Sequence, residues 1–370
     1  MNQRSISQLL DLRAGQQQKN QPAGRSTQAG FRPGAPSFNP GSSDRVVAAG
    51  GAAYAIPNTA ANTGNASESI VREFHEALAR APEMAVAVAA IKALTSVITK
   101  STAQTAMGLE KELKEAAASL QRCNETAISL KAGCELFLRY TTRTSALEME
   151  DFATAKARII ERGNYFAETS TRARQTIAEL GARFIQPGAV VLCHGHSRVV
   201  LALLRRAVAQ GVQFSVVVTE GRPDGTGLTM ARALDEMHVP VVAILDSAVA
   251  FALESLKVNM VMVGAEGVVE NGGVINKLGT YQIAIAAKVH NIPFYVAAES
   301  YKFARLYPLS QRDLPVERKH VDFGPLMPKA VKIENPSRDY TPPSYISLLF
   351  TDLGVLTPAA VSDELIQLYV

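Results

Sequence analysis

The chain of 370 residues contains no tryptophan and only three cysteines. Cys123, Cys134 and Cys193 are an odd number without a Cys-x-x-Cys pair, which argues for a reducing compartment and against a disulfide framework or a zinc site. Only His194 and His196 among the histidines lie close together, so we expect no metal centre. Without tryptophan, and without a basic stretch interleaved with aromatic residues, direct nucleic-acid binding is not expected.

Long apolar runs are also missing. No run approaches the roughly 20 residues that a membrane-spanning helix needs, and residues 1–10 lack the apolar core of a signal peptide. We therefore expect a cytosolic protein that does not enter a membrane. With 47% hydrophobic residues, the chain has enough apolar side chains for a sizeable core in two folded units.

The excess of positive charge is confined to the N-terminal region. Residues 1–66 contain six basic and two acidic residues, and the rest of the chain contains 32 of each. The rest therefore gives no electrostatic sign of a polyanionic partner. Residues 1–66 are rich in Gln, Gly, Pro, Ser and Asn, and such a segment buries too little apolar surface to offset its ordering entropy. We predict a disordered tail.

Residues 67–185 are predicted to form a helical domain of five or six helices. Their apolar residues recur at the spacing of one helix face, and no long β-branched alternation interrupts them. Pro82 suits the first turn of a helix. Cys123 and Cys134 fall within helical segments and are expected to be small core residues. The clearest face contains Met84, Val88, Ile91, Thr95 and Ile98.

After Pro187 the pattern changes to short apolar runs that alternate with helical patterns, such as 199–210 and 229–237. Continuous apolar strands joined by helices imply a parallel sheet covered on both faces. The predicted fold class is therefore α/β: an N-terminal all-helical domain, then a Rossmann-like parallel α/β domain over residues 186–370. The predicted strands are 189–193, 214–219, 239–245, 258–263, 294–297 and 346–350.

Polar residues concentrate in one stretch, 264–280 (GAEGVVENGGVINKLGT), between the fourth predicted strand and a helical pattern. A strand, a glycine-rich loop and a helix start together present backbone N–H groups to an anion. Lys277 beside that helix start suits a phosphate. A plain turn with glycines at positive φ is the alternative. The density of polar groups favours a ligand pocket.

Polar side chains also follow the other predicted strands, and ligands of parallel sheets bind outside the carboxyl ends of the strands. Ser197 is a candidate helix N-cap. Arg198, Arg222 and Lys277 are candidates to surround a phosphate, with Asp246 and Glu266 binding sugar hydroxyls. The alternative is that several of these residues only cap helices or pair with one another. The candidate ligand-binding residues are Ser197, Arg198, Arg222, Asp246, Glu266, Asn276, Lys277, Gly279 and Thr280.

Two enzymatic motifs are missing from the loops. Neither a GxxxxGK phosphate loop nor a GxGxxG directly after a strand is present, which weakens the case for nucleotide hydrolysis. Cys193 ends its predicted strand, so a buried inert thiol is favoured over a nucleophile.

Three segments resemble the alpha subunits of the initiation factor 2B alpha/beta/delta family: 263–280, 294–309 (FYVAAESYKFARLYPL) and 345–370 (YISLLFTDLGVLTPAAVSDELIQLYV). The resemblance extends from about Ser69 to the C-terminus. It implies a regulatory, non-catalytic subunit of the guanine-nucleotide exchange factor for initiation factor 2. Such subunits form a homodimer through their α/β domains, join the beta, gamma, delta and epsilon subunits, and help to sense the phosphorylated alpha subunit of initiation factor 2. No cofactor is required, and a sugar phosphate or nucleoside monophosphate is the expected allosteric ligand.

The same superfamily contains isomerases of ribose-1,5-bisphosphate and methylthioribose-1-phosphate, which are the alternative function. The isomerases place a cysteine just after the first-loop histidine, and an aspartate where this chain has Glu266. Here Gly195 follows His194, and Cys193 precedes it. Since glycine supplies no thiol, the resemblance implies a lost catalytic pair and no catalytic residue. The phosphate-binding residues that remain are Arg198, Arg222, Asn276 and Lys277.

Overall fold

The structure, a computed structural model, describes residues 66–81, 84–123, 127–146, 151–314, 317–319, 321, 323–324, 327–328 and 330–369. Apart from Ala66, the predicted disordered tail lies outside these residues, and so does Pro82. The described residues belong to one compact unit.

Five helices precede the first strand within the described ranges: α1 (Ala66–Arg80), α2 (Val86–Lys100), α3 (Ala106–Cys123), α4 (Ile128–Ala146) and α5 (Phe152–Ala182). Their facing side chains form one apolar core, in which Ile91, Leu113 and Leu130 are fully buried. Each such side chain contributes about 1.5–3 kcal/mol by leaving water. The face predicted for α2 is the buried one. No described helix combines the length and the apolar character needed to cross a membrane.

The two cysteines of this helical region differ. Cys134 is buried in the helical core, as predicted. The prediction for Cys123 is wrong, because this residue is exposed. Cys123 is the last residue of α3, where its thiol donates to the Leu120 carbonyl at 2.9 Å instead of packing into the core.

After α5 the described chain alternates between strands and helices. The elements are β1 (Val190–His194), α6 (Arg198–Ala209), β2 (Ser215–Thr219), α7 (Thr226–Asp235), β3 (Val241–Ile244), α8 (Val249–Ser255), β4 (Met260–Gly264), β5 (Gly267–Val269), β6 (Val274–Lys277), α9 (Thr280–Val289), β7 (Phe294–Ala297), β8 (Phe303–Ala304), β9 (Arg338–Thr341), β10 (Leu348–Thr351), β11 (Gly354–Leu356) and α10 (Ala360–Tyr369).

The main sheet has the strand order β11-β10-β7-β4-β1-β2-β3. Its pairings are parallel except for β11, which pairs antiparallel with β10 at one edge. All six predicted strands are present within two residues of their predicted ends. The antiparallel edge strand was not predicted.

Alternate residues of the main sheet enter two different cores. One face, which includes Cys193 and Met262, packs against α5, α6 and α7. The opposite face, which includes Leu192 and Val261, packs against α8, α9 and α10. The covered parallel sheet expected from the apolar strands is therefore confirmed.

A second, smaller sheet was not predicted. Its strand order is β8-β5-β6-β9, and β5 and β6 form an antiparallel hairpin. The prediction of one glycine-rich loop over residues 264–280 is therefore wrong, because a hairpin separates β4 from α9. One face of this sheet, including Val268 and Val274, joins the core of the main sheet. Val269 and Ile275 on its other face pack against α4.

The strand order places a ligand crevice at the carboxyl ends of β1 and β4. From β1 the chain builds outward through β2 to β3, and from β4 it builds the other way through β7 to β10. At such a topological switch point the neighbouring loops diverge and leave room for a ligand. His194 and Gly264 end the two central strands there.

Candidate functional site

His194 is held rigidly at the end of β1. Its Nε2 lies 2.9 Å from the Leu278 carbonyl oxygen, and its Nδ1 lies 2.6 Å from Thr219 Oγ1. Because a carbonyl only accepts, Nε2 carries the proton of the neutral ring and Nδ1 accepts from the Thr219 hydroxyl. Burial lowers the pKa of His194 and favours this neutral form. The imidazole therefore links β1, β2 and the segment before α9.

Asp246, a predicted sugar-binding residue, supports the loop after β2. Its two carboxylate oxygens accept from the backbone N–H groups of Gly221 at 2.9 Å and Arg222 at 2.7 Å. The Arg222 side chain is 70% exposed, and its Nε lies 3.3 Å from a Glu220 oxygen. In this structure both residues therefore make contacts within the protein that shape the loop.

The N-terminus of α9 already has a carboxylate. Asp339 on β9 accepts from the N–H groups of Gly279 at 2.8 Å and Tyr281 at 3.0 Å. Burial raises the pKa of Asp339 to about 7, although these two bonds favour the ionised form. The helix start expected to bind a phosphate is thus capped from a strand some 60 residues away. Beside it, Asn276 donates to the Thr280 hydroxyl at 3.1 Å.

Lys277, at the end of β6, faces the loop after β2. Its ammonium lies 3.1 Å from an Asp224 oxygen, and the Lys319 ammonium lies 2.7 Å from the other oxygen of that carboxylate. Burial would raise the pKa of Asp224, but the two lysines lower it overall. Asp224 therefore remains ionised between two cations.

Ser197 and Arg198 connect the crevice to α6 and to the helical region. The Ser197 side chain accepts from the Val200 N–H, so the predicted N-cap of α6 is confirmed. Arg198 Nη1 donates to the carbonyl of Met84 at 2.8 Å, just before α2. A residue predicted to bind phosphate thus also contacts the helical region.

Glu266, Cys193 and Gly195 determine whether the crevice has a free carboxylate or a thiol for catalysis. The Glu266 carboxylate pairs with the Arg338 guanidinium of β9. The Cys193 thiol is buried in the core of the main sheet, and burial raises its pKa to about 12. Gly195 has φ +61°, and a Cβ there would lie 3.1 Å from Thr226 Oγ1. No thiolate therefore faces the crevice from these positions.

Comparison with known proteins decides the family. The profile of the Initiation factor 2 subunit family matches residues 79–358. The chain belongs to this family. It is 46% identical over 312 residues to translation initiation factor eIF2B subunit alpha of Dictyostelium discoideum, which covers 81% of this chain and 96% of that relative. The family and fold class predicted from the sequence are therefore confirmed.

Two further relatives show the range of this family. Ribose 1,5-bisphosphate isomerase of Pyrococcus furiosus is 33% identical over 308 residues, 80% of this chain and 94% of the isomerase. Among solved structures, translation initiation factor eIF-2B of Pyrococcus horikoshii OT3 matches with a TM-score of 0.62 and 26% identity, covering 80% of this chain and 98% of that chain. The family fold thus occurs in both translation factors and sugar-phosphate isomerases.

Several residues of the site were not among the predicted ligand-binding residues. Asp224 pairs with Lys277, and Arg338 pairs with Glu266. Asp339 and Lys319 come from a long region in which no strand was predicted. The sequence offered no clear signal for this strand, because the run Arg338–Thr341 has a single aromatic residue among polar ones and lacks the alternation of a half-buried strand.

Proposed function

We propose that this chain is the regulatory, non-catalytic alpha subunit of the guanine-nucleotide exchange factor for translation initiation factor 2. The observation that carries the proposal is the 46% identity to a subunit of that name over 96% of its length. In this role the chain acts in translation initiation in the cytosol. The proposed layout is a tail over residues 1–66, a helical domain over residues 67–185 and an α/β domain over residues 186–370.

The chemistry of the crevice supports a role without catalysis. An isomerase of this superfamily needs a thiol after the first-loop histidine, and Gly195 supplies none. Cys193 does not replace it, since its side chain packs on the α6 side of the sheet. The Glu266 carboxylate is paired with the Arg338 guanidinium of β9, so in this structure it is engaged within the protein.

The proposed partners are a second copy of the chain, the beta, gamma, delta and epsilon subunits, and initiation factor 2 with its phosphorylated alpha subunit. An exposed apolar surface on the α/β domain supports homodimerisation. It consists of Val242 on β3, Leu245 after β3, Phe251 on α8, and Ile285 and Val289 on α9. Because β3 leads into α8 and α8 packs against α9, these exposed apolar side chains lie on neighbouring elements and suit burial against a second subunit.

Affinity purification of the tagged chain from cell extract tests the subunit role. We expect recovery of the other exchange-factor subunits, and binding of initiation factor 2 that depends on phosphorylation of its alpha subunit. Recovery of the chain only as a catalytically active homodimer would overturn the proposal.

An isomerase is the second candidate, because archaeal ribose 1,5-bisphosphate isomerases are 33% identical over most of the chain. This candidate requires turnover of ribose 1,5-bisphosphate that is lost in Glu266→Gln. We expect no turnover at high protein concentration.

We also propose that a sugar phosphate or nucleoside monophosphate binds the crevice as an allosteric ligand. The proposed contacts are made by Ser197, Arg198, Arg222, Asp246, Glu266, Asn276, Lys277, Gly279 and Thr280. Calorimetry with a panel of such compounds tests this site. Loss of one charge-assisted phosphate contact in Lys277→Ala should weaken binding by about 1.5–3 kcal/mol, and an unchanged affinity would place the ligand elsewhere.

A further inference from the structure

Two lysines from distant parts of the chain hold one carboxylate at the mouth of the crevice. Lys277 Nζ lies 3.1 Å from Asp224 Oδ2, and Lys319 Nζ lies 2.7 Å and 2.8 Å from the two oxygens of the same group. All three side chains are about one-third exposed or less. The cluster carries one excess positive charge, and its geometry is that of an anion bound between two ammonium groups.

Lys319 is brought to this position by a short paired segment. Its backbone N–H donates to Asn335 O at 3.0 Å, and the Asn335 side chain donates back to Lys319 O at 3.2 Å. Ser337 donates to Glu317 O at 2.8 Å and accepts from the Leu278 N–H at 3.1 Å. Since Leu278 directly follows Lys277, residues 317–319 are anchored to the same part of the site as Lys277.

A buried hydroxyl lies next to the lysine cluster. Thr226 Oγ1 is buried and has no hydrogen-bond partner among the described residues. The Cβ that Gly195 lacks would lie 3.1 Å from this oxygen and 3.3 Å from Lys277 Cδ. The glycine therefore leaves space between a hydroxyl without a partner and one of the two lysines. A buried polar atom without a partner in the protein is a candidate for contact with water or a ligand.

We propose that Lys319 is a second anion-binding lysine of the crevice, and that Asp224 occupies the anion position until a phosphate group displaces it. This inference rests on the proposed allosteric ligand. It assigns Lys319 to the binding of the ligand's phosphate, and Asp224 is the carboxylate that competes with that phosphate for the two lysines. Asp224 lies in the loop after β2, whose base is fixed separately by Asp246. The carboxylate can therefore leave the lysines while the base of its loop stays in place.

Calorimetry at constant ionic strength, with inorganic phosphate and ribose 5-phosphate as probes, tests this inference. Asp224→Asn removes the competing charge and should tighten binding about tenfold, which corresponds to about 1.4 kcal/mol. Lys319→Met should weaken binding about tenfold. The matched control is Lys332→Met, whose ammonium is on an 86% exposed side chain paired with Glu334, and its affinity should stay within twofold of wild type.

Unchanged or weaker binding by Asp224→Asn would overturn the inference, and so would equal affinities of Lys319→Met and Lys332→Met. Thermal melting checks that each variant is folded, and Lys319→Gln provides a second variant of the same position. Failure of both the wild type and Asp224→Asn to bind either probe would also overturn it. In that case the proposed subunit role would still be judged separately, by recovery of the other exchange-factor subunits.

Discussion

At position 195 the absence of a side chain determines both the backbone conformation of the loop and the lack of a thiol. Gly195 has φ +61°, in the left-handed region, and lies between Thr226 and Lys277. A side chain at this position meets two costs, one from the backbone and one from crowding. Both would apply to a cysteine. The loop of this chain is therefore shaped for a residue without a thiol.

Gly195→Ala should destabilise the fold by more than the backbone cost alone. The left-handed conformation costs about 1–2 kcal/mol for an alanine, and the Cβ would lie 3.1 Å from Thr226 Oγ1. The control is Gly188→Ala, at φ +79° with nothing within 4 Å of the added Cβ. Chemical denaturation should show a larger loss for Gly195→Ala, and equal losses would mean that the site tolerates a side chain.

The stability of Asp339→Asn relative to that of the wild type should increase as the pH rises. Burial raises the pKa of Asp339 from 3.8 to about 7, so the folded state retains a proton that the unfolded chain releases. This contribution to stability is complete below pH 4 and is lost as the pH rises to 7, by roughly 4 kcal/mol in total. Asparagine has no proton to lose.

Denaturation of wild type and Asp339→Asn between pH 4 and pH 8 measures this effect. The control is Asp235→Asn, which changes an exposed residue at the end of α7. A pH-independent difference between wild type and Asp339→Asn would show that Asp339 is ionised throughout the range.

Residue roles could be predicted where the partner is local in sequence. The N-cap role of Ser197 can be predicted from the start of the following helix alone. The burial of Cys193 can be predicted from its position in an apolar strand. The cap of α9 depends instead on Asp339, 60 residues after Gly279. The pairing of Lys277 with Asp224 spans 53 residues. Such partners are set by the tertiary fold, which local patterns do not contain.

Among the elements, the long helix α5 is attached to the main sheet through a buried charge. Glu299 follows β7 and accepts from Arg174 of α5 at 3.1 Å and from the Tyr301 hydroxyl at 2.8 Å. Its other oxygen lies 2.8 Å from the Lys302 ammonium. Lys302 also donates to the Ala265 carbonyl at 2.9 Å, next to Glu266. Helix α5 is therefore linked through Glu299 and Lys302 to the crevice.

Glu299→Gln should cost about 3–5 kcal/mol, because it removes a buried negative charge that Arg174 and Lys302 contact. Burial alone would raise the pKa of Glu299, but Lys302 and Arg174 lower it from 4.5 to about 2. The wild type should therefore lose roughly 3 kcal/mol of stability as the pH falls from 4.5 towards 2, and Glu299→Gln should lack this component.

Glu179→Gln on the same helix is the matched control. Its pair with Arg206 is long, at 3.8 Å, and solvent-exposed, so the change should cost under 1 kcal/mol. Urea denaturation at pH 7 and at pH 3.5 compares the two variants. Similar losses in both would show that the buried pair does not hold α5 in place.

Elements could be predicted where the apolar pattern is long enough. The six parallel strands are four or five residues of mostly apolar side chains, and their pattern is clear in the sequence. The small sheet has strands of two to four residues, and two of them lie within a glycine-rich stretch. Its β9 carries Arg338 and Asp339 into the site, so missing this strand also meant missing these two site residues.

In the molecule as a whole, the exposed apolar surface lies at the β3 edge of the main sheet, where no further strand pairs among the described residues. The edge strand β3 exposes Val242, whereas the central strands β1 and β4 are almost entirely buried. Beyond β3 the chain continues through Leu245 into α8, which packs against α9. An exposed edge strand with apolar residues invites association unless another subunit covers it. The homodimer proposed above would cover this edge.

Phe251→Asp should convert the purified chain from a dimer to a monomer. Phe251 is 71% exposed on α8, so the folded monomer tolerates a charge there, while a dimer interface would have to bury it unpaired. Native mass spectrometry and light scattering measure the oligomeric state, and thermal melting confirms folding. The control is Met107→Asp on α3, 82% exposed in the helical region, which should leave the dimer intact. If Phe251→Asp remained dimeric, the copies would have to meet through another surface, and the apolar surface would be left for the other subunits.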